Sequence, residues 1–115
     1  MSTTAAIVGV ILAGILGTVA NSFAISYLFG VEAMPLILDA GRLAVAILVA
    51  ILLIPIFARM GGFAAWIVAL AALTVIPSLL AVYVFAAEAP WSVVLGVNFV
   101  YALVATIVFV AMRKG

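Results

Sequence analysis

Four apolar stretches, each about 22 residues long, follow one another along this chain with only short turn-forming segments between them. They cover residues 5–27, 36–57, 63–84 and 91–112. At 1.5 Å per residue, a helix of that length spans about 33 Å, enough to cross a bilayer with a modest tilt. The rest of the composition agrees. Of 115 residues, four are basic, three are acidic and 72% are hydrophobic, and the mean hydropathy is +1.68. A soluble domain needs roughly 25% charged residues to cover its surface. The outer surface of this chain must therefore be apolar, with lipid as its solvent. The alternative is a subunit wholly buried in a larger soluble complex. The expected fold is all-α: a polytopic membrane protein forming an antiparallel bundle of four transmembrane helices in a single domain, residues 1–115.

The breaks between the runs carry turn chemistry. Gly30 to Pro35 separates the first two helices, Gly61-Gly62 the second and third, and Pro90 opens the fourth, where a missing N–H costs nothing. Two prolines fall inside apolar runs. Pro55 is expected to end or kink the second helix, and Pro77 to kink the third and free a carbonyl near Leu73. All the connections are short, so consecutive helices pair as antiparallel hairpins. No Lys or Arg precedes the first apolar run, and that run is too long for a signal-peptide core, so it is expected to be retained.

Basic residues set the expected orientation. Arg59 lies in the second loop, and Arg113 and Lys114 follow the fourth helix, whereas the first and third loops carry Glu32 and Glu88. With four spans, the three basic positions share one side with the N-terminus. The chain is thus expected to be a multi-pass protein of the cell membrane with both termini cytoplasmic. Phe63, Trp66, Phe85 and Trp91 stand near helix ends, as an interfacial aromatic belt requires.

The first helix has two rows of small or polar residues at four-residue spacing: Gly9, Ala13, Gly17, Asn21 and Gly14, Thr18, Ser22, Ser26. Small residues let backbones approach, and close packing holds membrane helices together. The first helix is therefore expected to be central and to touch at least two others. Ala65 and Ala69, and likewise Ala64 and Ala72, form rows on the third helix. Asn98, Ala102 and Thr106 form one on the fourth.

Few strongly polar side chains fall within the runs: Asn21, Asp39, Arg42, Ser78 and Asn98. Counted from the middle of each run, all but Asp39 lie roughly 6–8 Å to the outer side of the midplane, and Asp39 lies one turn further out. An ionisable group at that depth costs several kcal/mol if it faces lipid. Arg42 should therefore face the bundle interior or snorkel outward. Asp39, three residues earlier on the same face, is its expected ion-pair partner. Asn21 and Asn98 are placed to satisfy the remaining positions, with Tyr27 and Tyr101 as second candidates. Two readings stay open. The layer is either a helix-end ion pair with bridging asparagines, or the floor of an externally open pocket for a small polar or anionic ligand. A faint internal echo accompanies it. Glu32-Ala33-Met34-Pro35 resembles Glu88-Ala89-Pro90, and the pairs Arg42/Asn98 and Asn21/Ser78 have nearly the same offset, as a duplicated hairpin or chance would give.

The segment Gly17-Thr18-Val19-Ala20-Asn21 followed by Tyr27, the basic Arg59 after the second helix and the proline in the third helix together resemble a group of small uncharacterised bacterial four-helix membrane proteins, classed as a domain of unknown function. The resemblance spans most of the chain and implies topology rather than chemistry. Members of that group tend to carry a histidine in the last helix where Asn98 stands here, so no titratable role transfers to this position. Small multidrug transporters share the size, but they depend on a glutamate in the first helix, and this chain has none there.

The composition excludes most chemistry. Without cysteine or histidine there is no disulfide, no thiolate or imidazole metal site and no imidazole base. A net charge of +1 leaves no nucleic-acid footprint. The chain is therefore expected to be neither an enzyme nor a cofactor carrier. Its expected partners are the lipid bilayer, with a homo-oligomer or a larger membrane complex open. The first functional reading is a structural or accessory membrane subunit. The second is a small transporter or channel subunit with an outward-facing polar site at Arg42, Asp39, Asn21, Asn98 and Ser78.

Overall fold

The structure is a computed structural model that describes residues 3–84 and 89–114. Helix α1 spans Thr3–Phe29, α2 Ala33–Ile37, α3 Ala40–Ala50, α4 Leu53–Arg59, α5 Gly62–Tyr83 and α6 Trp91–Lys114. Four segments are long and apolar enough to cross a membrane: α1, the α3–α4 run Ala40–Arg59, α5, and Trp91–Met112 of α6. The chain is an all-α four-helix bundle and a multi-pass membrane protein. Phe85 and Glu88, expected in the third turn, lie outside the described residues.

Each boundary has a local cause. Gly30, at φ +69°, ends α1, and its N–H reaches the Ser26 carbonyl at 2.9 Å. Glycine takes that left-handed conformation without a Cβ penalty. At the start of α6, the Pro90 carbonyl accepts the N–H groups of Val93 and Val94, both at 3.0 Å.

The second span differs from the single helix expected over 36–57. A one-turn helix, Ala33–Ile37, comes first. The chain then breaks at Leu38-Asp39, and the span proper starts at Ala40. Asp39 is the N-cap of α3, with its Oδ1 accepting the Arg42 N–H at 3.0 Å. Aspartate competes with a helix interior but favours a cap, and this moves the start. Arg42, the third residue of α3, therefore lies roughly 11 Å from the middle of Ala40–Arg59, nearer the membrane surface than the sequence count gave. The same span is interrupted again at Ile51-Leu52, one turn before Pro55. There the bonds shorten to three-residue steps, Leu52 N–H to Val49 O at 3.1 Å and Ile54 N–H to Ile51 O at 3.0 Å. Pro55 has no N–H to give the Ile51 carbonyl, so the preceding turn tightens. Pro77 has a milder effect, and α5 continues across it.

Helix α1 is the most connected element. It packs along α6 and, to a lesser extent, along α3, while α5 closes the ring against α6 and more sparsely against α3 and α4. The two small-residue rows of α1 serve different neighbours. A Cβ at Gly9 would meet Phe109 and Met112 of α6, and one at Gly17 would meet Tyr101 of α6. A Cβ at Gly14 would meet the backbone of Ile47 in α3. Rising numbers on α1 match falling numbers on both partners, as antiparallel neighbours require.

Small and polar residues take much of the buried face, and large apolar ones much of the exposed face, unlike a soluble bundle. Apart from Val10, the buried face of α1 is small or polar (Ala6, Gly9, Ala13, Gly14, Gly17, Thr18, Asn21 and Ser22), whereas Ile7, Ile11, Ile15, Leu16 and Phe23 are exposed. Ala65, Ala69, Leu73 and Ser78 form the buried face of α5, and Ala102, Ala105 and Thr106 are buried on α6. Between helices, lipid supplies no hydrophobic drive, so association rests on close contact and on polar bonds. Of the expected aromatic belt, Phe63 and Trp91 are exposed at helix starts, while Trp66 and Phe57 stand edge-to-face with ring centroids 6.1 Å apart.

Candidate functional site: a polar layer joining four spans

The end of the bundle where α1 and α5 finish and α3 and α6 begin holds a continuous hydrogen-bonded chain. Arg42 Nη2 donates to Asn21 Oδ1 at 2.7 Å and to Ser22 Oγ at 3.1 Å, and Arg42 Nε donates to the Leu36 carbonyl at 3.1 Å. Asn21 Nδ2 donates onward to the Val97 carbonyl at 2.7 Å and to Asn98 Oδ1 at 3.3 Å. Asn98 Nδ2 donates to Ser78 Oγ at 3.0 Å, and Ser78 Oγ donates to the Thr74 carbonyl at 2.6 Å. One line of side chains thus runs from α3 through α1 and α6 to α5.

The four polar residues expected to share a level, Arg42, Asn21, Asn98 and Ser78, therefore meet. Asn21, Ser22 and Ser78 are buried and Asn98 is half-buried. The pairing follows the internal echo. In each hairpin, the polar side chain of the first span bonds that of the second, Asn21 to Arg42 and Ser78 to Asn98.

Asp39 departs from the expectation. It is not within the span, and its carboxylate caps the backbone of α3 instead of pairing with the Arg42 side chain. Among the described residues, the guanidinium meets only neutral oxygens, from Leu36, Asn21 and Ser22. Of its five N–H donors, the two on Nη1 have no acceptor there. The two second candidates separate. Tyr27 is 89% exposed and stands apart from the layer. Tyr101 is buried, lays its ring against Gly17, and donates its hydroxyl to the Ala46 carbonyl of α3 across the bundle.

Sequence reasoning missed two contributors. Ser22 belongs to a packing row in the sequence reading, although its position next to Asn21 is a signal. The Leu36 carbonyl is hidden from a reading in which one continuous helix starts at Leu36. A continuous helix would have used that carbonyl internally.

Beside the layer lies a cavity of about 390 Å³. Thr18, Asn21, Asn98 and Tyr101 line it from α1 and α6, Arg42, Val45 and Ala46 from α3, and Pro77, Leu80 and Ala81 from α5, with Asp39 and Gly41 at the start of α3. A fixed cation, amide groups and an apolar wall within one cavity can bind a polar or charged group.

Fold and site together define a multi-pass membrane bundle with a polar layer at one end. Comparison with protein-family models, curated proteins and solved structures found no significant match.

Proposed function

We propose that the chain is a small transporter or channel subunit of the cell membrane, with a site for a polar or anionic ligand at the Arg42 layer, open to the outer side. The observation that carries this reading is the state of Arg42. Its charge is held by three neutral oxygens, two of its donors are unused among the described residues, and a cavity adjoins it. A partly buried cation whose side chain is bonded to neutral oxygens, with Asp39 nearby but engaged as a helix cap, carries a desolvation cost that an incoming oxyanion offsets. The orientation is supported by the basic residues Arg59, Arg113 and Lys114, which favour the opposite end and both termini as the cytoplasmic side. Four helices enclose little volume, so flux would require more than one copy of the chain. With no His or Cys, the site is read as non-catalytic.

A second reading, a structural or accessory subunit, is favoured by the way the same bonds tie all four spans together. Arg42→Ala separates the two readings. Under the first, the variant folds but loses stabilisation by, and vesicle flux of, small anions that act on the parent protein. Under the second, the parent shows no anion response and the variant simply unfolds. A cytoplasm-only reporter fused to the C-terminus tests the orientation, and a silent fusion overturns it.

A further inference from the structure

The geometry points to a lipid headgroup as the ligand: a phosphodiester bearing a primary ammonium, of the phosphatidylethanolamine type, held with its phosphate on Arg42 and its ammonium on Asp39. This rests on the Arg42 reading above and narrows it. Three observations carry it.

The first is the shape of the cavity. Helices α1 and α6 are in close contact and form its back wall through Thr18 and Tyr101. The contact between α3 and α5 is sparse, and the cavity walls on either side of it, Val45, Leu80 and Ala81, are apolar, which leaves a gap there beside the approach from the polar end. Nearer Gly61, α4 and α5 meet through Phe57 and Trp66. Such a gap suits an acyl chain, and the polar end suits a headgroup.

The second is depth. Asp39 caps α3 and Arg42 is its third residue, so both lie at the end of the span, where headgroups meet acyl chains. The third is charge. Arg42 and Asp39 line the same cavity, so its formal charges cancel. A simple anion gains from Arg42 and loses to Asp39, whereas a zwitterion gains from both. Asp39 Oδ1 is engaged by the Arg42 N–H, and its second oxygen remains to accept from an ammonium.

The test is lipid retention by the whole protein in detergent micelles, read by native mass spectrometry, with phosphatidylethanolamine, phosphatidylglycerol and phosphatidylcholine offered at equal amounts. The expected order is ethanolamine first, then glycerol, then choline, whose quaternary ammonium donates no hydrogen bond. Arg42→Gln should weaken retention of the ethanolamine lipid by about tenfold or more. Asp39→Asn keeps the cap and should abolish the preference for ethanolamine over glycerol. Ala81→Phe, which fills the α3–α5 gap and leaves every polar contact in place, should lower retention of all three lipids. It keeps the test decisive if Arg42→Gln does not fold.

A glycerol lipid retained as well as the ethanolamine lipid overturns the zwitterion assignment and leaves the Arg42 reading standing. Inorganic phosphate or free phosphoethanolamine binding while lipids do not overturns the lipid assignment alone. Retention unaffected by both Arg42→Gln and Ala81→Phe, with no response to inorganic phosphate, overturns this proposal and the Arg42 reading together.

Discussion

Asn21 Oδ1 accepts Arg42 Nη2 at 2.7 Å, and this contact fixes the orientation of the whole Asn21 amide. With its oxygen committed to α3, the amide turns its nitrogen to α6, where Val97 O and Asn98 Oδ1 accept it. One side chain thus sets the register of α1 against two neighbours.

Asn21→Ala removes both links and leaves the Val97 carbonyl and one Arg42 donor without these partners. The expected loss is about 1–3 kcal/mol, since bonds to charged groups stand above the membrane average. Asn98→Ala, which cuts one longer contact and the Ser78 bond, should cost less. Reversible unfolding in mixed micelles measures both, and equal losses would contradict the central role of Asn21.

The glycines of α1 should not be equivalent. A Cβ at Gly14 would lie 2.8 Å from Ile47 Cα and 2.9 Å from its N, both backbone atoms that cannot swing aside. At Gly17 it would lie 2.6 Å from Tyr101 Cδ1, a ring on a rotatable side chain, and at Gly9 only 3.5 Å from its nearest neighbours. Alanine should therefore be most damaging at position 14, intermediate at 17 and nearly neutral at 9, with the first costing about 1–3 kcal/mol or more. Gly17→Leu should disrupt the bundle. Melting curves in one detergent give the order, and a flat series would count against close α1 packing.

Asp39 offers a test of cap against ion pair. As a cap, it should lose about 1 kcal/mol on substitution by Ala and little on substitution by Asn, which caps equally well. As the counter-ion of Arg42, it would lose comparably on either change. Stability of the two variants at neutral pH decides between them.

Pro55 explains the interruption of the second span. Pro55→Ala restores an N–H for the Ile51 carbonyl, and the turn at residues 51–52 should relax to ordinary helix. Amide exchange at Ile51, Leu52 and Leu53 should slow as α3 and α4 merge. Unchanged exchange would assign the break to packing instead of proline.

Much of this was legible in the chain itself. Four apolar runs with almost no charge permit only spanning helices, because lipid offers backbone groups no other partners. The glycine and alanine spacing of α1 marked two packing faces, because residues four apart share a face whatever the neighbour. Polar residues at similar depth in all four runs anticipated a layer, since rise per residue converts number to height. Sequence did not determine which side chains meet. Asp39 and Arg42 share a face and carry opposite charges, yet the backbone N–H of Arg42 took the carboxylate and Asn21 took the guanidinium. A helix start is decided by competition between a side chain and the backbone for one acceptor, and only the folded arrangement, by bringing α1 within 2.7 Å of Arg42, tipped it. The cavity is likewise tertiary, because it exists where α3 and α5 touch only sparsely while α1 and α6 pack closely behind them.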